Sequence, residues 1–256
     1  MEFSADNLTA GEWIFILAVV FGAFIARGWT GLGSSALCVS FLTFVMPPAV
    51  AVILTIMLEM PAGLLLLPGA RRHVDIKWLV PTIGGLFIGA PAGVWLLSYL
   101  DESAAQIAVY ALAAFFVSAN LANLLRRANA PLFNMPPLAT GVIAGFANGL
   151  AAIAGIVVAV FLLSSGRTVQ TIRASLIAMF IFTEIYSLAL YASLGLFHPS
   201  HGVLFFAAMP PLLAGIFIGA KLFARSSGKH YRPLVLGLIL FACAAGLLRL
   251  ALGAGN

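Results

Sequence analysis

Long apolar runs separated by short polar breaks organise this chain. They cover roughly 11–26, 34–46, 48–68, 78–100, 104–125, 137–147, 156–163, 171–196, 202–224 and 233–252. A helix that crosses a membrane needs about 20 apolar residues. The runs 48–68, 78–100, 104–125, 171–196, 202–224 and 233–252 meet that length. The other four are short and come in pairs, each pair flanking a Gly-rich break inside an apolar stretch. The breaks are Arg27-Gly28-Trp29-Thr30-Gly31-Leu32-Gly33 and Asn148-Gly149-Leu150-Ala151-Ala152-Ile153-Ala154-Gly155. Each short pair is either one broken, tilted crossing or a re-entrant hairpin of two half-helices. Either way the pattern predicts an all-α polytopic membrane protein. A β-barrel would show short alternating segments instead.

Residues 21–95 and 141–222 read as two copies of one unit. The second holds Ile216–Leu222 (IFIGAKL) where the first holds Leu86–Ala92 (LFIGAPA). Each copy has a Gly-rich break and, later, one Glu in the middle of an apolar run, Glu59 and Glu184. The expected organisation is a first repeat over 1–125, a linker at 126–136 and a second repeat over 137–256. Repeat one holds a hairpin at about 11–46 and helices at 48–68, 78–100 and 104–125. Repeat two holds a hairpin at about 137–163 and helices at 171–196, 202–224 and 233–252.

Charge chooses between hairpin and single crossing. Basic residues cluster at Arg71/Arg72/Lys77, Arg126/Arg127, Arg167 and Arg225/Lys229/Arg232; acidic residues cluster at Glu2/Asp6/Glu12 and Asp101/Glu102. Loops rich in Lys and Arg stay cytoplasmic. A returning hairpin at 137–163 keeps Arg167 and the 225–232 group on the cytoplasmic side, whereas a single crossing would export them. A hairpin plus three crossings is an odd number, so the second copy starts on the opposite face. The result is an inverted-topology repeat, each half a Gly-broken hairpin plus three helices. Paired Gly-interrupted segments of this kind point to a secondary transporter with its site at the bilayer midplane.

The chain is 62% hydrophobic and 8% charged, far below the charge content of a soluble domain. Its net charge of +5 reports loop bias rather than nucleic-acid binding. The N-terminus has no basic region before its first apolar run, so no cleaved signal peptide is expected. Cys38 and Cys243 sit far apart in apolar runs and read as packing thiols. No P-loop supports ATP-driven transport. No metal or cofactor is expected. His73, His198, His201 and His230 lie in or near loops and read as ordinary polar positions.

The candidate binding residues cluster at the breaks. Glycine permits tight turns and close backbone approach at Gly28, Gly31, Gly33, Gly149 and Gly155. Half-helices starting at Ser34-Ser35 and at Gly155 would point free N–H groups and positive dipole ends at an anion. The bland alternative is that these glycines only let helices pack closely. Arg27 is a costly residue at membrane depth; it either holds an anion through its planar fork or pairs with Glu59 or Glu184 to brace helices. Asn148 is its neutral counterpart. Glu59 and Glu184 are candidates for proton coupling, or for bracing through salt bridges. Arg173, at the start of a long run, is either a snorkelling interface residue or a gate.

Several of these features resemble one family. The Gly-rich break near the N-terminus, Arg72-His73-Val74-Asp75 followed by Trp78, the small-residue helix Gly84-Gly85-Leu86-Phe87-Ile88-Gly89, and the second opening at 141–155 are similar to the TauE/SafE family of sulfite and organosulfonate exporters. The resemblance spans about 15–250. It implies a carrier in the bacterial inner membrane for small sulfur oxyanions such as sulfite or sulfoacetate. That family carries denser glycine at both openings, where this chain has Ser34-Ser35 and Ala151-Ala152-Ile153-Ala154, so the choice among sulfite, thiosulfate, sulfoacetate and other sulfonates stays open.

The expected function is therefore secondary active transport, by alternating access, of a small sulfur-containing anion, with protons as a coupling candidate. An anion channel and an intramembrane enzyme or assembly factor are the alternatives, though no nucleophile, metal triad or redox pair is visible for the latter. Expected partners are the anion, membrane lipids and protons, not nucleic acid; both a monomer and a homodimer fit.

Overall fold

The computed structural model describes residues 5–31, 33–125, 135–162, 167–197 and 199–225, with isolated positions between 237 and 251. The loop residues Arg126 and Arg127, His198, Lys229, His230, Arg232 and most of the run 233–252 lie outside the described residues. Nine α-helices are described: α1 Ala10–Thr30, α2 Ser34–Leu42, α3 Pro48–Ala70, α4 Ile76–Tyr99, α5 Glu102–Leu125, α6 Pro137–Ala151, α7 Ala154–Leu162, α8 Val169–Ser193 and α9 Pro199–Arg225. No strand occurs among the described residues. Six of the described helices are long and apolar enough to cross a membrane: α1, α3, α4, α5, α8 and α9.

One arm differs from the sequence reading. The run 11–26 was too short to cross, yet α1 has 21 residues, about 31 Å at 1.5 Å per residue. A capping box at Thr9 and Glu12 starts it early. Arg27 does not end it, because its charge is neutralised inside the bundle. The helix stops only where Gly31 turns left-handed at φ 79°. By contrast α2 and α7 have nine residues each, too short to span.

Polar breaks and prolines set the other boundaries. Pro48 and Pro137 open α3 and α6, where a missing N–H does no harm. Asp75 caps α4, its carboxylate accepting from the Trp78 N–H at 3.2 Å. Between α3 and α4, Arg71–His73 forms a short 3-10 turn.

Small residues decide which helices touch. Gly85, Gly89 and Gly93 of α4 face Gly141, Gly145 and Gly149 of α6, backbone to backbone. A methyl group on Gly89 would lie 2.9 Å from the Phe146 nitrogen, and one on Gly145 would lie 2.9 Å from the Ala90 nitrogen. The register climbs together along both helices, so α4 and α6 run parallel. Likewise Gly28 of α1 faces Gly219 of α9, and Gly215 faces Phe21 and Ile25, again in parallel. Such four-residue spacing of small side chains lets membrane helices approach closely enough to pack without a hydrophobic driving force.

Helices α3 and α8 cross the centre together. Gly63 meets Ile177 and Ile181, and the turn after α3 meets the start of α8. They therefore run antiparallel. That junction is tied by an ion pair, Arg167 Nε to Asp75 Oδ2 at 2.7 Å, and by the Asp75 N–H donating to Ser175 Oγ at 3.1 Å. The hydrogen bond from Arg167 holds the Asp75 carboxyl below its ordinary range.

Two outcomes test this packing. Gly89→Ala should cost about 1–3 kcal/mol, the usual penalty of overpacking. Gly84→Ala should be neutral or slightly stabilising, because a methyl there meets only Leu138 Cδ1 at 3.9 Å; thermal unfolding of the purified variants reads both. For the junction, Asp75→Asn keeps the cap and loses the ion pair. Because the folded-state carboxyl titrates lower than the unfolded one, the pair stabilises at neutral pH and is lost as pH falls through the folded value. The variant should be less stable near pH 7 by under about 1 kcal/mol, and the gap should close toward pH 3. A pH series of melting curves in detergent checks this.

Candidate functional site

The Gly-rich breaks come together at the centre of the bundle, between α3 and α8. Arg27, the last basic residue of α1, is fully buried. Its Nη2 lies 3.2 Å from Glu59 Oε2 on α3, and its Nη1 donates to the Gly31 carbonyl at 3.2 Å. The guanidinium stacks on the Phe180 ring of α8 at 4.0 Å, a cation–π contact strengthened by desolvation. The hydroxyl of Ser34, first residue of α2, donates to Glu59 Oε1.

The Arg27–Glu59 pair is close without being well aligned. Arg27 Nε, Arg27 Nη2 and Glu59 Oε2 are buried and have no hydrogen-bond partner among the described residues. At 3.2 Å the two charges attract, but off the direction a hydrogen bond needs. The bidentate edge of the guanidinium is therefore unused.

The second break builds a neutral counterpart. Asn148 Nδ2 donates to Glu184 Oε2 at 3.4 Å and to Ser187 Oγ at 3.2 Å, both on α8. Asn148 Oδ1 accepts the Ala154 N–H at 3.3 Å. So α7 begins at Ala154, one residue earlier than the sequence reading placed it, and its first N–H is already capped by a side chain. Between α6 and α7 the chain turns at Ala152, with φ 53°, the one non-glycine residue in the left-handed region among those described. Tyr191 donates its hydroxyl to the Gly149 carbonyl. Glu184 is 1% exposed, its Oε1 has no partner, and it forms no ion pair among the described residues. It still interacts electrostatically with Glu59 and Arg27.

The expected site residues thus divide. Arg27, Ser34, Glu59, Asn148 and Glu184 gather at the centre. Gly31 and Gly33 supply the left-handed turns, φ 79° and 93°, that join α1 to α2. Gly28 and Gly149 are packing positions against α9 and α4, and their carbonyls accept from Arg173 and Tyr191. Gly155 leaves room for the Phe180 ring, and Ser35 is buried in α2. Arg173 is half-buried: Nη2 donates to the Gly28 carbonyl at 2.9 Å and the guanidinium lies 4.2 Å over Phe223. These contacts hold its guanidinium against the first break. Cys38 and Cys243 are free thiols, with Cys243 3.6 Å from Ser40 on α2.

Three contributors escaped the sequence reading: Phe180, Ser187 and Tyr191. With Arg173 and Glu184 they fall at spacings of seven, four, three and four residues and form one stripe of α8. That helical spacing was the available signal. Among the described residues no group of three His, Cys, Asp or Glu side chains gathers as a metal site would require.

Membrane-length helices packed on glycine, with Arg27, Glu59 and Glu184 buried between them, define an integral multi-pass membrane protein. The chain belongs to the Sulfite exporter TauE/SafE family, which it matches over residues 15–246. Members of that family are transporters that export sulfite and related anions, not enzymes. No curated protein and no solved structure matches the chain.

The bracing strength of the central pair is measurable. Removing one partner of a buried pair strands the other charge, at about 3–5 kcal/mol. Arg27→Ala and Glu59→Ala should each destabilise on that scale, and the double variant should recover at least about 2 kcal/mol of the summed loss. A double-mutant cycle on unfolding free energies reads the coupling.

Proposed function

We propose that this chain is a secondary carrier of the bacterial inner membrane that exports small sulfur oxyanions, sulfite or organosulfonates such as sulfoacetate, by alternating access around the site at the two breaks. The observation that carries this reading is Arg27: fully buried, at the centre of a sulfite-exporter family member, with the Nε–Nη2 edge of its guanidinium free of hydrogen bonds. That edge presents two parallel donors, the geometry that matches two oxygens of a sulfite or sulfonate. The low dielectric around it strengthens the pairing.

Alternating access draws support from how the halves exchange partners. Repeat one lends α4 to the opening helix α6 of repeat two, and repeat two lends α9 to the opening helix α1 of repeat one, both in parallel. Repeat helices α3 and α8 meet antiparallel at the centre. The Asp75–Arg167 pair joins the end of α3 to the start of α8, so α6 and α7 leave from and return to one face. These pairings fit an inverted repeat in which α1 followed by the short α2, and the short pair α6 and α7, form the two broken arms; rocking one arm against its borrowed helix would open the site to either side. Arg173, holding the Gly28 carbonyl, fits a gate on the first hairpin. Glu59 and Glu184 are the proton-coupling candidates.

Reconstituted vesicles test the reading. The protein should catalyse saturable counterflow of labelled sulfite or sulfoacetate. Arg27→Lys keeps the charge and loses the fork, and should weaken the half-saturating concentration by about 1–3 kcal/mol of binding. Arg173→Ala should change turnover with little effect on half-saturation. Unitary currents in place of counterflow would make the protein a channel, and wild-type counterflow in Arg27→Ala would remove Arg27 from the site.

A further inference from the structure

The two halves are chemically unequal at matched places. Half one puts a permanent cation, Arg27, beside its glutamate; half two puts a neutral amide, Asn148, beside its own. Glu59 therefore has a counter-ion in contact, whereas Glu184 bonds the Asn148 amide and feels Arg27 and Glu59 without forming an ion pair among the described residues. A neutral carboxylic acid suits the surroundings of Glu184, where an ionised one would be a stranded charge.

The ionisable neighbours of this pair are few. Facing Glu59 are Arg27 from α1, Cys38 from α2 and Glu184 from α8; Arg27 in turn feels Arg173. Tyr191 is the further ionisable group near Glu184, on its own helix. Helices α6 and α7 carry no ionisable side chain. On α5, Tyr110 bonds to Thr43, and on α9 Lys221 lies over Phe217, away from the centre.

The pair Arg27–Glu59 is poised for exchange. Glu59 neutralises the guanidinium without occupying its bidentate edge, and keeps its own second oxygen unbonded. An oxyanion with two oxygens would make the hydrogen bonds that Glu59 does not. Once displaced, an ionised Glu59 would lie in a dry site beside the anion and Glu184, so it must go neutral. Ser34 is placed to hydrogen-bond either form of it.

Resting on the transporter reading, we propose that Glu59 is the anion's stand-in on Arg27: an arriving singly charged oxyanion exchanges for it, and Glu59 takes up one proton per anion while Glu184 stays protonated throughout. Anion and proton then occupy the site together, and the charge in the membrane centre is the same loaded and empty. The balance is one anion and one proton in, with no bond other than O–H formed.

The probe is methanesulfonate, whose charge stays fixed across the pH range, unlike that of sulfite. Calorimetric titration of the wild-type protein in two buffers of different ionisation enthalpy counts protons taken up. About one proton per anion is expected, with affinity falling about tenfold per pH unit as pH rises. Glu59→Gln should bind methanesulfonate with no proton uptake and no pH slope, whereas Glu184→Gln should keep both. Binding by the wild type without proton uptake would overturn the exchange and leave the transporter reading standing; this arm needs no variant to fold. A slope retained in Glu59→Gln and lost in Glu184→Gln would also overturn it, moving the proton to Glu184. If neither methanesulfonate, sulfoacetate nor sulfite binds the wild type, the transporter reading fails and the exchange with it.

Discussion

A guanidinium buried at the centre of a membrane bundle is the constraint around which this structure is arranged. Arg27 cannot shed its proton, and lipid offers it nothing. Its position therefore dictates a carboxylate on α3, a carbonyl at the end of its own helix and an aromatic face on α8. Those three partners come from both halves of the chain. The buried charge is a cost to folding that Glu59, the Gly31 carbonyl and the Phe180 ring offset in part, because its Nε and Nη2 have no hydrogen-bond partner among the described residues.

Glycine makes that arrangement reachable. The α4–α6 and α1–α9 contacts bring backbones together along parallel helices, which sets the depth of each break. At Gly28 the two demands meet in one residue: its missing side chain admits α9, and its carbonyl receives Arg173. At Gly155 the missing side chain admits the ring that supports Arg27. The same residue type thus serves packing and site construction, and no glycine here needs to be assigned to one purpose alone.

The unequal chemistry of the halves bears on mechanism. Under the proposed alternating access, a repeated scaffold would let the site face either side, while the charges at the two breaks differ. Replacing an arginine by an asparagine at matched breaks leaves one carboxylate paired and the other solitary. Both carboxylates nevertheless share one buried space and feel each other.

Much was legible in the chain itself. Apolar run lengths implied a helical membrane protein, because lipid forbids unsatisfied backbone. Glu59, Glu184 and Arg27 stood out because charge at membrane depth is expensive, and the Gly-rich breaks because helices do not tolerate them idly. What the chain could not disclose was pairing. Whether Arg27 would meet Glu59 or Glu184 depends on helices joined only through tertiary packing, and only the bundle put Ser34 on one carboxylate and Asn148 on the other. The length of α1 also escaped, because its capping box and the buried partner of Arg27 extend the helix past its apolar run. Local composition determines what must be buried; the close approach of distant backbones decides what it is buried against.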